Sequence, residues 1–411
     1  MQLWADLHIH SHYAMAASKD ARPEQLAFWA RRKGLSLIGT GDFTHPGWRA
    51  ELKAKLEEAE DGLWRLKPEA AGSGWDLPFT QPVRFVISGE ICTVYQKAGK
   101  TRKVHHLLLL PHWEAAERLA ARLEPYGQLA SNGRPVLKLD SRDLLAITLE
   151  VAPEAVLIPA HIWTPHYSVF GMGSAFNNLQ ECYADLTGEV QAVETGLSSD
   201  PAMNRRLSIL DEYALVSNSD AHSPAKLGRE ATRFGIELSF AALRKALKRP
   251  FPGLLGTVEF FPEEGKYHWD GHRACGVCWS PRETRRAGGK CPVCGRPVTV
   301  GVLHRVELLA DRESPGQPPA HRPAQRLLPL VEIIAAAEGT GAQTKRVQRI
   351  YEQILLTHGP ELRILRETPW AELAKTAGEK VAEGVRRVRE GLLTVRPGYD
   401  GVYGEVQVFA D

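Results

Sequence analysis

Leu3-Trp4-Ala5-Asp6-Leu7-His8-Ile9-His10 opens the chain with an apolar run that ends in two metal-ligand side chains one residue apart. Some two hundred residues later a second run ends in Asp220-Ala221-His222, with the same spacing. Residues i and i+2 of a strand face the same side, so each pair can grip one metal cluster from a strand end. Between the pairs, further short apolar runs close on a ligand-type side chain. They are Leu35 to Asp42, Val83 to Glu90, Val104-His105-His106 before four leucines, Val156 to His161, and Val190 to Glu194. A single strand-end His or Asp is usually a cap or a satisfied core group. A whole series at the same relative position predicts a site.

Amphipathic segments alternate with these strands: Pro23 to Lys33, Trp48 to Ala59, Trp113 to Glu124, Pro201 to Glu212 and Ser239 to Leu247. Such alternation predicts an α/β fold of parallel strands joined by helical crossovers. Ligands at the carboxyl ends of many strands fit a closed β/α barrel, because an open doubly wound sheet gathers its ligands at one switch point. Residues 62–82, with Gly72, Gly74 and Pro78, read as a loop insertion over the barrel mouth, and residues 125–135 as another. Gly256 to Pro262 reads as a last strand, Ser314 to Pro323 as a linker, and residues 324–394 as helices interrupted at Gly339-Thr-Gly341 and Gly359-Pro360. The expected division is a barrel over residues 1–262, a cysteine module over 263–312 and a small helical domain over 313–411.

With 411 residues, ordinary composition and no run of eighteen apolar residues, the chain reads as a folded, cytoplasmic protein with no membrane partner. Its net charge is +2, unevenly placed: the first 272 residues hold 30 Lys and Arg against 33 Asp and Glu, and the rest 21 against 16. Residues 273–296 alone carry six basic groups, Arg285 and Arg286 among them, against one acidic group. That patch could meet phosphates. Inside it lie Cys275-x2-Cys278-x12-Cys291-x2-Cys294, four of the six cysteines, with the spacing of two knuckles closing on one structural zinc. Cys92 and Cys182 stand apart as free thiols.

The candidate barrel ligands are His8, His10, Asp42, Glu90, His106, His161, Glu194, Asp220 and His222, more than one ion could use. Imidazole and carboxylate suit zinc, manganese, iron or magnesium, and a carboxylate can bridge two ions as multi-metal hydrolytic sites require. His8-Ile-His10, Gly-Asp42, Glu90, His106-Leu-Leu, Pro-Ala-His161 and Asp220-Ala-His222 resemble the polymerase and histidinol phosphatase (PHP) superfamily of metal-dependent hydrolases. A closer likeness runs through nearly the whole chain. Gly-Asp42-Phe-Thr-His45-Pro, His161-Ile-Trp-Thr-Pro-His166, Ser217-Asn-Ser-Asp220, Glu259 to His268, the four cysteines and Pro397 to Tyr403 are together similar to the endonuclease Q family of DNA-repair nucleases.

That resemblance implies a distorted seven-stranded PHP-type β/α barrel with two or three divalent metals, a zinc-ribbon-like module and a helical carboxyl-terminal domain. It implies nicking on the 5′ side of deaminated bases (uracil, hypoxanthine, xanthine) and of abasic sites, with Asp220, Glu90, His8 and His10 at the catalytic centre. Where the superfamily has Thr-Asp-His, this chain has Gly41-Asp42-Phe43, so a third ion would rely on Asp42 or His45. Of His105 and His106, strand alternation lets one face the site, and the family pattern selects His106. Choosing a deaminated base requires flipping it and reading its changed edge. Ser198 and Asn218 are the polar candidates for that, and Trp163, His166, Tyr167 and Phe170 the aromatic ones. The rival readings are a PHP phosphomonoesterase acting on a small metabolite and a non-catalytic DNA-binding module.

Overall fold

The structure is a computed structural model and describes residues 1–71, 77, 79 and 81–409. Its strands, in chain order, begin with β1 (Gln2–Asp6), β2 (Leu37–Gly39), β3 (Leu56–Glu60), β4 (Leu63–Leu66), β5 (Arg84–Lys97) and β6 (Lys100–Leu110). They continue with β7 (Val136–Leu137), β8 (Val156–Pro159), β9 (Ala192–Glu194), β10 (Ala214–Val216), β11 (Ala231–Gly235) and β12 (Leu254–Glu259). β1, β2 and β5 pair in parallel, β6 pairs antiparallel with both β5 and β8, and β9 pairs in parallel with β10. Beyond β8, the Ile162 N–H reaches the Glu194 carbonyl, and beyond β10 the His10 N–H reaches the Ala221 carbonyl. The run of pairings therefore returns to the strand where it began. On the other side of β1, β11 and β12 extend the sheet antiparallel.

Strand alternation sorts the core into an inner and an outer layer. Leu3, Ala5, Leu7, Leu37, Val86, Leu107, Leu109, Ile158, Ala192 and Val216 form one buried cluster. Leu108 and Leu110, on the opposite face of β6, pack with the helices Pro23–Lys33 and Trp113–Leu123 in the other. The helix Pro23–Lys33 starts on a proline with its fixed φ and stops at Gly34, whose φ of 91° lets its N–H cap the carbonyls of Ala30 and Arg31.

Four sequence expectations change. The helix expected from Trp48 to Ala59 ends at Lys55, and residues 56–66 form the β3–β4 hairpin. Asp61-Gly62 makes its turn, with Gly62 at φ 71°. The loop expected over 62–82 thus holds a strand, while Gly72, Gly74 and Pro78 lie outside the described residues. The helix expected from Pro201 to Glu212 is one turn, Pro201–Asn204, followed by a 3-10 turn at Ser208–Leu210. The buried Arg205 guanidinium takes the carbonyls of Leu210 and Tyr213, which competes with a continuing helix. Finally, β5 and β6 form an antiparallel hairpin rather than parallel neighbours.

After β12 come a small hairpin, β13 (Asp270–His272) with β14 (Val277–Trp279), and the helix Val302–Leu309. Arg305 on that helix donates to the carbonyls of Phe170 and Phe176 and to Asn177 Oδ1, tying the module to the loop after His161. The chain then returns to the sheet, where β15 (Ala324–Arg326) pairs in parallel with β12, before five helices between Leu330 and Glu390. Lys33 Nζ lies 2.6 Å from Glu361 Oε2, which also accepts from Tyr351 Oη. Lys33 and Glu361 are buried, so losing one partner strands a charge out of water, a cost of about 3–5 kcal/mol. Among the described residues no helix is long and apolar enough to cross a membrane.

Candidate metal centre

Two groups of ligand atoms converge, His8, His10, His161 and Asp220 from just past strand ends and Glu90 and His105 from within the β5–β6 hairpin. His8, His10 and Asp220 form one and Glu90, His105 and His161 the other, the ligand atoms of each lying within 4.8 Å of one another. In the first, Asp220 Oδ1 is 3.0 Å from His10 Nε2 and 3.8 Å from His8 Nε2. In the second, Glu90 Oε1 is 2.5 Å from His105 Nδ1 and 3.0 Å from His161 Nε2. Glu90 also joins the groups, since its Oε2 is 3.4 Å from His10 Nε2 and 3.7 Å from His8 Nε2.

His8 Nε2, His10 Nε2 and Asp220 Oδ1 are buried atoms without a hydrogen-bond partner, despite their closeness. Buried polar atoms normally find a partner, and three converging lone-pair donors that make no hydrogen bond fit a cation between them. His/Asp and Glu/His/His donor sets suit divalent ions in both places.

Outer partners fix these ligands. Glu194 holds His8 Nδ1, while its oxygens also accept from Asn218 Nδ2 at 2.8 Å and the His161 N–H at 2.8 Å. Asp42 Oδ1 holds His10 Nδ1 at 2.9 Å, and its Oδ2 accepts from the Ser11 N–H and Oγ. Carboxylates placed behind ligating imidazoles set their tautomer and aim. Asp42 and Asp220 turn in the left-handed region at φ 49°, and His161 does so at φ 30°. Such backbone is uncommon away from glycine and concentrates at functional sites.

Charge follows the geometry. Burial alone would lower the His8 and His10 pKa values, but Glu194 and Glu90 around His8, and Asp42, Asp220 and Glu90 around His10, raise both well above the usual imidazole range. Burial works to raise Glu90, yet His105, His8 and His10 hold it well below the carboxylate range. His105 is pushed down to about 4, chiefly by burial, so its lone pair is free at neutral pH.

Several expected site residues stand elsewhere. Asp42 and Glu194 support ligands instead of joining either group, and His222 lies beside His10 at a ring separation of 4.4 Å, outside both. His105, not His106, stands in the second group. The β5–β6 register sets Glu90 opposite Leu107, so His105 shares the Glu90 face, while His106 opposes Ile91 and turns outward to Thr93 and Tyr183. Asn218 is buried between the Leu7 N–H and Glu194 and cannot read a base. Trp163 and Phe170 are also buried, their rings tilted against each other with centroids 5.0 Å apart, and the Trp163 indole donates to Asn204.

His166 and Tyr167 are exposed, and the Tyr167 ring packs against His105 at 4.9 Å. Ser198 is half-buried and opens into a cavity of about 200 Å³ lined also by Pro165, Tyr267, His268 and Tyr403. The sequence reading missed Arg134, whose Nη1 donates to Glu90 Oε2 at 3.0 Å. Its one signal was the Asn132-Gly133 turn in a loop assigned to the barrel mouth.

In the cysteine module, His272, Cys275, Cys291 and Cys294 converge within 4.8 Å, while Cys278 Sγ faces the Pro397 carbonyl at 3.9 Å. The β13–β14 register explains the exchange. Cys278 opposes Gly271 and His272 opposes Val277, so the two ligand candidates lie on opposite faces of the hairpin. Arg285, exposed, pairs with Glu307, and Arg286 is exposed beside it.

A family model described as the MJ0043 C-terminal domain matches residues 329–392. The chain is 33% identical over 252 residues to the uncharacterized protein MJ0043 of Methanocaldococcus jannaschii, a match covering 59% of this chain and 31% of that protein. The lesion-specific endonuclease PfuEndoQ from Pyrococcus furiosus superimposes with a TM-score of 0.86 at 31% identity, covering 99% of this chain and 95% of that one. An endonuclease Q structure holding a 27-mer duplex with an abasic lesion at its active site superimposes with a TM-score of 0.84, also at 31% identity, covering 99% of this chain and 96% of that one. With end-to-end similarity at that identity and two adjacent groups of metal-ligand side chains, the chain belongs to the endonuclease Q family of PHP-superfamily metal-dependent enzymes.

Proposed function

We propose that this chain is a metal-dependent DNA endonuclease that cuts the phosphodiester on the 5′ side of deaminated bases and abasic sites. The observation that carries the reading is the sharing of Glu90 between two ligand groups, in a chain similar from end to end to a lesion-specific endonuclease. The strand pairings support a distorted seven-stranded barrel closed between β10 and β1, followed by a zinc module and a helical domain.

His8, His10 and Asp220 would hold one divalent ion, and Glu90, His105 and His161 a second. When bound, such ions supply Lewis-acid activation of water and of the phosphoryl group, and stabilise the leaving 3′ oxygen. The chain's own part is orientation. Glu194 and Asp42 accept the Nδ1 protons of His8 and His10 and leave both Nε2 lone pairs facing inward. Asp220 is the ligand nearest solvent, with its side chain 29% exposed, and so borders the approach of a substrate. Tyr167 offers an aromatic edge beside His105, and the cavity reached by Ser198 is of a size to take an everted base, with Tyr267 and Tyr403 as stacking walls. The basic groups around the zinc module meet backbone phosphates.

Incubation with Mg2+ or Mn2+ and labelled duplexes tests this. Duplexes with one deoxyuridine, one deoxyinosine or one abasic site should be nicked 5′ to the lesion, and an undamaged duplex should survive. Equal cutting of all duplexes, or no cutting together with turnover of a phosphomonoester, would replace this reading with its rivals.

A further inference from the structure

Arg134 enters the candidate metal centre although no metal can use it. A guanidinium has no lone pair to give an ion and keeps its charge at any working pH. Yet the loop that carries it is secured on both sides. Before it, the Ala130 carbonyl lies 3.0 Å from His45 Nε2, Asn132 Oδ1 accepts the Met15 N–H, and the Gly133 N–H donates to the Tyr13 carbonyl. After it, the Cys92 N–H donates to the Pro135 carbonyl, and Val136–Leu137 pair with Cys92–Thr93, two residues beyond Glu90. A side chain at Gly133 would place its Cβ 2.3 Å from Asp42 Oδ2, so the backbone passes directly over the carboxylate that orients His10.

Exposure separates Arg134 from the groups it touches. The side chains of Glu90, His8 and His10 are fully buried, whereas Arg134 and Asp220 are each 29% exposed. Together with His222, 35% exposed beside Asp220, these two form the solvent-facing side of the centre, through which a phosphate must come. Among the described residues, no other Lys or Arg side chain bonds to a carboxylate of either ligand group. Only one guanidinium donor, Nη1, is engaged with Glu90, and the planar fork has others to match two oxygens of a phosphate. A residue kept only to neutralise Glu90 would be redundant once ions share that carboxylate.

Resting on the nuclease reading above, we infer that Arg134 binds a non-bridging oxygen of the scissile phosphodiester, aligning it over Glu90 and drawing off charge that builds during displacement. The expected division of labour is that His8, His10, Glu90, His105, His161 and Asp220 hold ions while Arg134 holds substrate.

Arg134→Gln and Arg134→Lys in the full chain test this. Nicking of an abasic-site duplex in Mg2+ should fall about 100-fold in Arg134→Gln, with Arg134→Lys recovering a part because it keeps the charge without the fork. Mn2+ stoichiometry and affinity, measured calorimetrically without DNA, should match wild type. In an Asp220→Asn background, a neutral methylphosphonate at the scissile linkage should weaken DNA binding about tenfold when Arg134 is present and hardly at all in Arg134→Gln. Reduced Mn2+ binding in Arg134→Gln, or equal sensitivity of both proteins to the neutral linkage, would overturn the assignment even where wild type nicks normally. A wild type that nicks no lesion duplex would overturn the nuclease reading itself.

Discussion

Both carboxylate oxygens of Glu194 lie within hydrogen-bond distance of His8 Nδ1, at 3.1 and 3.0 Å. The same carboxylate accepts the His161 N–H, so one buried group braces a ligand from each of the two clusters. Glu194→Gln keeps the shape but offers one acceptor oxygen and an amide that cannot accept from Nδ1–H. Divalent-metal affinity should drop about 10- to 100-fold, read by Mn2+ titration, with the thermal midpoint of the metal-free protein far less affected. Unchanged affinity would show that His8 is aimed by packing alone.

The ligands that could be read from the sequence are those at the ends of apolar runs. His8, His10, His161 and Asp220 stand just past the end of a strand, and Glu90 closes the apolar run Val83 to Gly89 although its strand continues to Lys97; their side-chain type marks them without further information. What could not be read depends on partners distant in sequence. Choosing His105 over His106 needs the β5–β6 register, which a residue list does not contain. Asp42 and Glu194 have ligand chemistry, but their oxygens are taken by Nδ1 protons, and only coordinates distinguish a ligand from its support. Trp163 and Phe170 follow a ligand in sequence, yet the chain folds them inward because a buried aromatic pair gains more than an exposed one. Arg134 lies on an irregular loop, where no period marks which side chain turns inward. The strands and helices before Leu56 were legible; the β3–β4 hairpin was not, because Leu56–Glu60 continues the helical pattern and only the Asp61-Gly62 turn argues against it.

The cysteine module makes a prediction in which spacing and geometry disagree. Cys278 belongs to the spacing, but His272 belongs to the cluster, with its Nδ1 3.8 Å from Cys294 Sγ. Zinc analysis of purified variants separates them. Cys291→Ser should lose zinc under either set, and with it the fold of residues around β13 and β14, since structural zinc contributes folding energy outright. The geometry expects His272→Ala to shed zinc and Cys278→Ser to retain it. The opposite pattern would restore the four-cysteine set.

Behind the metal centre, Glu259 is wholly buried and accepts from Thr195 Oγ1 and Ser217 Oγ, each at 3.1 Å and each next in sequence to a member of the Glu194–Asn218 pair. Burial, helped by Asp200, pushes its pKa up to about 8, and its neighbour Glu230 is raised well above the carboxylate range, again chiefly by burial. The folded protein therefore keeps protons that the unfolded chain releases near pH 4.5. Stability from this source is present in acid, declines as pH rises from the ordinary carboxylate range toward 8, and levels off above it. The slope for one such group is at most about 1.4 kcal/mol per pH unit. His8 and His10, also raised, lose their contribution in the same direction, so the comparison must be with a variant. Glu259→Gln stays neutral throughout and should flatten the profile, gaining on wild type between pH 5 and pH 8 in chemical denaturation. A stability difference that does not change across that range would mean that Glu259 is ionised in the fold.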